Sequence, residues 1–171
     1  LAVEGQPRAV RLNLPGIAAD RLMARFGDRL EALGEAMNTP APVDLRANGI
    51  KADRDEVAKQ LAREGVESEP TPFSPMGLRL ARRMPIFHTR AFSNGLAEVQ
   101  DEGSQLVALL VDAKPGDQVA DFCAGAGGKT LAMAATMANK GRIMALDISE
   151  ARLERMSERM RRAGVHNLER R

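Results

Sequence analysis

Apolar residues along this chain change period several times, and each change marks an element. From Ile17 to Met37 they recur every three or four residues (Leu22, Met23, Phe26, Leu30, Leu33, Met37), which predicts one amphipathic helix weakened at Gly27 and set to pack on the following unit. Before it, Leu1 to Pro15 has little periodicity and predicts an irregular lead-in. After it, Asn38 to Pro42 breaks the pattern with Pro40 and Pro42. Val43 to Asn48 reads as a strand. Asp53 with Glu56 three residues on forms a capping box for a helix from about Arg54 to Glu64, closed by Gly65. Val66 to Leu80 carries Pro70, Pro72 and Pro75 among short apolar pieces and predicts edge strand or loop.

Asn94-Gly95 is a turn signal, and Leu96 to Val99 a short strand or extended lead-in. Gln100 to Asp112 predicts a helix whose apolar residues Leu106, Val107, Leu109 and Leu110 cover a coming sheet. Gln118 to Asp121 and Arg142 to Asp147 are short apolar runs, each closing on an acid, with a small-residue helix from Lys129 between them. Ser149 is the N-cap of a charged helix from Glu150 to Ala163, which presents Leu153, Met156 and Met160 on one side and ends at Gly164. Val165 onward leads into a third strand.

These elements divide into an amino-terminal helical segment (1–39), a small α+β domain (40–96) and a strand-turn-helix-strand unit of the parallel-sheet kind (97–171). The 171 residues, 44% hydrophobic, suffice for one domain or a small one plus part of another. No apolar run reaches a membrane span and no signal pattern opens the chain, so a soluble cytoplasmic protein is expected. A single cysteine fits a reducing compartment. The net charge of +2 does not by itself indicate nucleic acid, so any RNA surface must be local. Arg79, Arg82, Arg83 and Arg90 fall within Gly77 to Gly95, a stretch without acids, and suit phosphate contacts or a solvated basic loop equally. Phe87 and Phe92 could stack on a base, though their spacing also suits a core. With His88, His166 and Cys123 far apart in sequence, no metal site is expected.

The chemistry concentrates between the two acids. Gly125, Gly127 and Gly128 let the backbone approach a ligand, and the helix start at Lys129 offers free N–H groups to a carboxylate or phosphate. Asp147, 20 residues after Gly127, stands where a carboxylate can accept both hydroxyls of a ribose. A Walker A loop fits less well, because Cys123 takes the place of its first glycine. A dinucleotide fingerprint meets Thr130 instead of its third glycine and leaves Asp121 without a role. A tight turn with no ligand is the plain alternative. An acid closing each strand around a glycine loop is the pattern of S-adenosylmethionine-dependent methyltransferases.

Asp121-Phe-Cys-Ala-Gly-Ala-Gly-Gly-Lys-Thr130, with Glu98-Val-Gln-Asp-Glu-Gly-Ser-Gln105 ahead of it and Ala-Leu-Asp147-Ile-Ser with Arg152 behind, resembles the RNA cytosine-5 methyltransferases of the Sun type, the family of bacterial small-subunit rRNA methyltransferase B. Pro42-Val-Asp-Leu-Arg-Ala-Asn48 is a weaker match to the domain preceding that family's catalytic one. The loop reads Ala-Gly-Ala-Gly-Gly where many members have Ala-Ala-Pro-Gly-Gly.

The resemblance implies an α/β fold, an incomplete Rossmann-like methyltransferase domain preceded by a small α+β domain. It implies S-adenosyl-L-methionine as cofactor, bound by Asp121, Cys123, Ala124, Gly125, Ala126, Gly127, Gly128, Lys129, Asp147 and Arg152. It implies RNA, in particular rRNA, as partner. In that family the nucleophilic and product-releasing cysteines lie in Pro-Cys motifs on later strands. No Pro-Cys occurs here, so no catalytic residue is assigned. The chain is expected to be the front part of a larger enzyme, inactive alone and with an exposed sheet edge open to another copy. A non-catalytic RNA-binding module and a P-loop-like nucleotide-binding protein remain the alternatives.

Overall fold

The computed structural model describes residues 5–171, and the chain forms two compact units divided between Ala41 and Pro42. In the first unit, α1 (Arg8–Arg11), α2 (Gly16–Phe26) and α3 (Leu30–Asn38) are helical, with a 3-10 turn at Gly27–Arg29. Two expectations change here. A helical turn follows Pro7 in the supposedly irregular segment, of which Leu1 to Glu4 lie outside the described residues. The single long helix is in fact two, because Gly27 adopts φ +54° and cannot continue α2. Asn38 Nδ2 donates to the Leu12 carbonyl at 3.2 Å, and Leu12 packs against Gly34 closely enough to leave no room for a Cβ.

The second unit opens with β1 (Asp44–Ala47), buried along its whole length, followed by α4 (Arg54–Arg63). The capping box is present: Asp53 accepts from the Glu56 N–H at 2.8 Å, and Glu56 reaches back to the Asp53 N–H at 3.0 Å. Next come β2 (Ser68–Pro70), β3 (Gly77–Leu80), α5 (Arg90–Ser93) and β4 (Ala97–Val99). The antiparallel order is β2-β3-β1-β4. Pro70 ends an edge strand, where a missing N–H is harmless, whereas β3 is an interior strand. Leu45, Val57, Leu61, Leu78 and Ile86 form the core beneath this sheet.

Strand β4 belongs to the first sheet. Leu45, Arg46 and Ala47 pair with Val99, Glu98 and Ala97, so the short strand among the two expectations forms and completes the first sheet. Local sequence cannot reveal this, because the partner strand lies about fifty residues upstream.

Beyond it follow α6 (Glu102–Leu110), β5 (Gln118–Asp121), α7 (Gly128–Thr136), β6 (Arg142–Ala145), α8 (Glu150–Ala163) and β7 (Leu168–Arg170). Strands β5, β6 and β7 are parallel in that order, so the third strand is formed as well as the two expected. Among the described residues β5 pairs only with β6. Helix α6 buries a different face from the one its apolar residues suggest: Glu102, Gln105 and Ala108 are buried, while Val107, Leu110 and Val111 are exposed. The polar side wins because it has partners. Gln105 Nε2 donates to the Leu45 and Gln100 carbonyls, and Ser74 Oγ donates to Gln105 Oε1 at 2.7 Å.

Glu102 closes the same contact by accepting the N–H groups of Phe73 at 2.6 Å and Ser74 at 2.8 Å. Burial alone would raise this carboxyl, but the Ser74 and Phe73 N–H groups outweigh it and hold it below the usual range. A depressed native pKa contributes stability that is complete above the unfolded value of about 4.3 and lost as pH falls through the native one. Melting temperature should therefore drop on acidification below that value, and the drop should be smaller in Glu102→Gln, which already melts lower at neutral pH. A variant retaining the full acid sensitivity would contradict this role.

Candidate functional site

Strand β5 ends on Asp121, and the chain then turns through Phe122 to Gly127 into α7. Two contacts tie this loop to β6: the Leu146 N–H donates to the Asp121 carbonyl at 2.8 Å, and the Ala124 N–H to the Leu146 carbonyl at 2.9 Å. Gly125 and Gly127 take φ +55° and +85°, the left-handed region that glycine enters without strain. Gly127 is also packed: a Cβ there would stand 2.6 Å from Met156 Cγ. Met156, Leu153, Ala124 and Ala145 form a small core under the loop.

The structure brings both acids to this loop. Asp147 accepts the Gly125 N–H at 2.8 Å on one oxygen and the Ser149 N–H at 2.9 Å on the other. The Ser149 N–H, with further help from Gly125 and the positive Arg152 and against some burial, holds its carboxyl below the usual range. Asp147 therefore stays ionised, and each oxygen retains a free lone pair. Ser149 caps α8 by position without a side-chain bond. Thr130, fully buried, donates its hydroxyl to Asp121 at 2.7 Å. That bond explains a threonine where a dinucleotide fold would have glycine, and it occupies the hydroxyl that a P-loop would turn to a metal ion.

Two clefts flank Cys123. One, of about 370 Å³, lies between Asp121, Cys123, Gly128 and Lys129 on one side and Gln100, Asp101 and Ser104 on the other, with Arg159 at its wall. Asp101 caps α6 by accepting the Ser104 N–H at 2.9 Å, and its carboxyl is lowered by the Ser104 contacts and by Lys129. The other cleft, about 420 Å³, runs past Phe122, Asp147, Ile148 and Arg152. Phe122 and Ile148 are 79% and 107% exposed, an unusual display of apolar surface beside a carboxylate. Asp121, Cys123, Ala124, Gly128, Lys129, Asp147 and Arg152 line these clefts, and Gly125, Ala126 and Gly127 form the loop between them. Gln100, Ser104, Phe122 and Ile148 lie within the stretches that carry the resemblance but were given no site role there, and Arg159 lies outside them.

The four arginines are not brought together in one role. Arg79 is a sheet residue forming a bidentate pair with Asp44 at 2.8 and 3.0 Å, which raises its already high pKa. Arg82, Arg83 and Arg90 are exposed. Phe87 and Phe92 meet edge to face at 5.1 Å, with Arg162 stacked 4.0 Å over Phe92, while Phe87 stays 60% exposed. Cys123 is free and exposed. Among the described residues no helix is long and apolar enough to cross a membrane.

A β-α-β-β-α-β sheet in the order found here, followed by a parallel β-α-β-α-β run around a glycine loop, defines a ferredoxin-like domain joined to the opening of a methyltransferase domain. Comparison with known proteins agrees. Residues 14–87 match the RsmF/B-like methyltransferase ferredoxin-like domain, and residues 108–170 match the 16S rRNA methyltransferase RsmB/F model. The chain belongs to this RsmB/F methyltransferase family.

It is 32% identical over 146 residues to ribosomal RNA small subunit methyltransferase B of Photorhabdus laumondii, covering 85% of this chain and 34% of that protein. It is 33% identical over 156 residues to the 26S rRNA (cytosine-C(5))-methyltransferase nsun-1 of Caenorhabditis elegans, covering 86% of this chain and 24% of that protein. A methyltransferase homolog protein from Pyrococcus horikoshii superposes with a TM-score of 0.86 at 34% identity, over 95% of this chain and 54% of that one. The chain spans about a quarter to a third of the length of these curated relatives.

Proposed function

We propose that the loop between Asp121 and Asp147 binds S-adenosyl-L-methionine as methyl donor for cytosine-5 methylation of RNA, rRNA in particular. One observation carries the reading: Asp121 at the end of β5 and Asp147 two residues past the adjacent parallel β6 flank a left-handed glycine loop with a cleft on each side. The donor's carboxylate faces the α7 N-terminus and Lys129, where free N–H groups and a cation favour an anion. Its ammonium faces Asp121 and Asp101. Its ribose hydroxyls donate to the spare lone pairs of Asp147, and its adenine takes the apolar surface of Phe122 and Ile148. The names of the curated relatives support the rRNA part. Arg82, Arg83 and Arg90 are the residues we assign to phosphate contact, Arg79 being engaged with Asp44.

Cytosine C5 becomes nucleophilic only after a thiolate adds to C6. Cys123, in the loop that wraps the donor, is unsuited to that attack, so these 171 residues bind the donor without methylating. The lone exposed thiol fits a reducing cytoplasm. Calorimetry of this chain against S-adenosylhomocysteine and, separately, ATP with magnesium tests the reading. Binding of S-adenosylhomocysteine and not of ATP is expected. The reverse preference, which would make the glycine loop a P-loop, refutes it.

A further inference from the structure

We propose that Glu98 and Arg159 are positioning residues for the donor loop, so that the ferredoxin-like sheet sets the shape of the cofactor site. The inference rests on the reading of that loop as a donor site.

Glu98 lies on β4, in the first sheet, and is 1% exposed. A buried carboxylate requires partners, and it finds two on α8. Arg159 donates Nε and Nη2 to Glu98 Oε2 at 3.1 and 2.9 Å, and Arg162 donates Nη2 to Oε1 at 2.6 Å. What separates the two arginines is the third contact. Arg159 Nη1 donates to the Ala126 carbonyl at 2.8 Å. Ala126 stands between the two left-handed glycines, so fixing its carbonyl fixes the peptide plane leading to Gly127, whose N–H returns to Ala124 at 2.9 Å.

Helix α7 starts at that point. The planar guanidinium suits this job because it addresses a carboxylate and a carbonyl at a fixed angle, which a lysine ammonium does not. Glu98 stands cross-strand from Arg46, which donates Nε to Gln100 Oε1 at 2.7 Å, and Gln100 borders the donor cleft opposite Gly128. Without the β4 carboxylate, nothing in the clamp orients Arg159 toward the loop.

Arg162 supplies the internal control, since it shares Glu98 but does not touch the loop. In the 171-residue chain, Arg159→Met should weaken S-adenosylhomocysteine binding about tenfold, a typical coupling between linked sites, while Arg162→Met should change it less than about twofold. Two readouts need no ligand: amide hydrogen exchange at Gly125 to Gly128, and the alkylation rate of Cys123, the only cysteine. Both should rise in Arg159→Met and stay near wild type in Arg162→Met. Arg159→Lys, which keeps the charge beside Glu98 but not the fork, should behave like the methionine variant and replaces it if that variant does not fold.

Equal effects of the two arginines on affinity, exchange and alkylation, or no effect of either, would overturn the proposal. If the wild type binds no S-adenosylhomocysteine, the donor-site reading fails. Exchange and alkylation then decide the clamp alone.

Discussion

Asp147→Ala is expected to weaken S-adenosylhomocysteine binding by about a hundredfold, the cost of two charge-assisted hydrogen bonds to a ribose. The prediction follows from geometry at the tip of β6. The carboxylate is ionised, half-buried, and already oriented by the Gly125 and Ser149 N–H groups, so a ribose meets an acceptor that needs no rearrangement. Alanine removes the acceptor and also releases Gly125. Asp147→Asn separates these effects: its amide oxygen can accept one N–H and so retain part of the brace, but it lacks the charge and the second acceptor. Both variants should lose most of the affinity, with the asparagine variant keeping more native hydrogen exchange in the loop. RNA affinity should change little in either, because Arg82, Arg83 and Arg90 lie outside the clefts. A variant that binds the ligand normally would remove Asp147 from the site.

Gly95→Ala should be the most damaging small substitution in the chain, destabilising it by about 3 kcal/mol or more, the range reserved for severe backbone clashes. Gly95 has φ +69°, and a Cβ there would sit 1.9 Å from the Arg162 carbonyl oxygen, a backbone atom unable to swing aside. The turn is the seam between the two sheets of the second unit. Asn48 Nδ2 donates to both the Gly95 and Ala163 carbonyls at 2.8 Å, and Lys51 Nζ donates to the Asn94 carbonyl at 2.8 Å and the Arg162 carbonyl at 2.6 Å. An added methyl must push α8 from the sheet or break these bonds. Gly65→Ala supplies the comparison, since Gly65 has φ +75° but open space around its Cβ position. It should cost only the strain of the left-handed conformation, about 1–2 kcal/mol. Chemical denaturation of both variants measures the difference. Equal costs would mean that the seam yields without penalty.

How much of this was legible in the sequence depended on the range of the forces involved. Helix α8 is found where Ser149, the Leu153 and Met156 spacing and Gly164 place it, because caps and amphipathic periods are local. The capping box of α4 and the end of β5 on Asp121 follow for the same reason, whereas β6 ends at Ala145, two residues short of Asp147. The membership of β4 in the first sheet was not legible, since it depends on pairing with Arg46 and Ala47 across half a domain. The buried face of α6 was misjudged because apolar count alone ignores that Gln105 and Glu102 meet fixed carbonyls and N–H groups. Arg79 looked free for phosphate because Asp44, its partner, is 35 residues away in sequence. In the site, the acids and glycines carried the signal. Arg159 did not, since nothing in a charged helix marks which arginine turns toward a loop.

The most direct measurement of the central claim is a crystal structure of this chain soaked with S-adenosylhomocysteine. The ribose hydroxyls are expected on the Asp147 carboxylate, the amino-acid end at the start of α7 beside Asp121 and Lys129, and adenine against Phe122 or Ile148. Ligand bound elsewhere, or an anion seated on the glycine loop with Asp147 untouched, would contradict it.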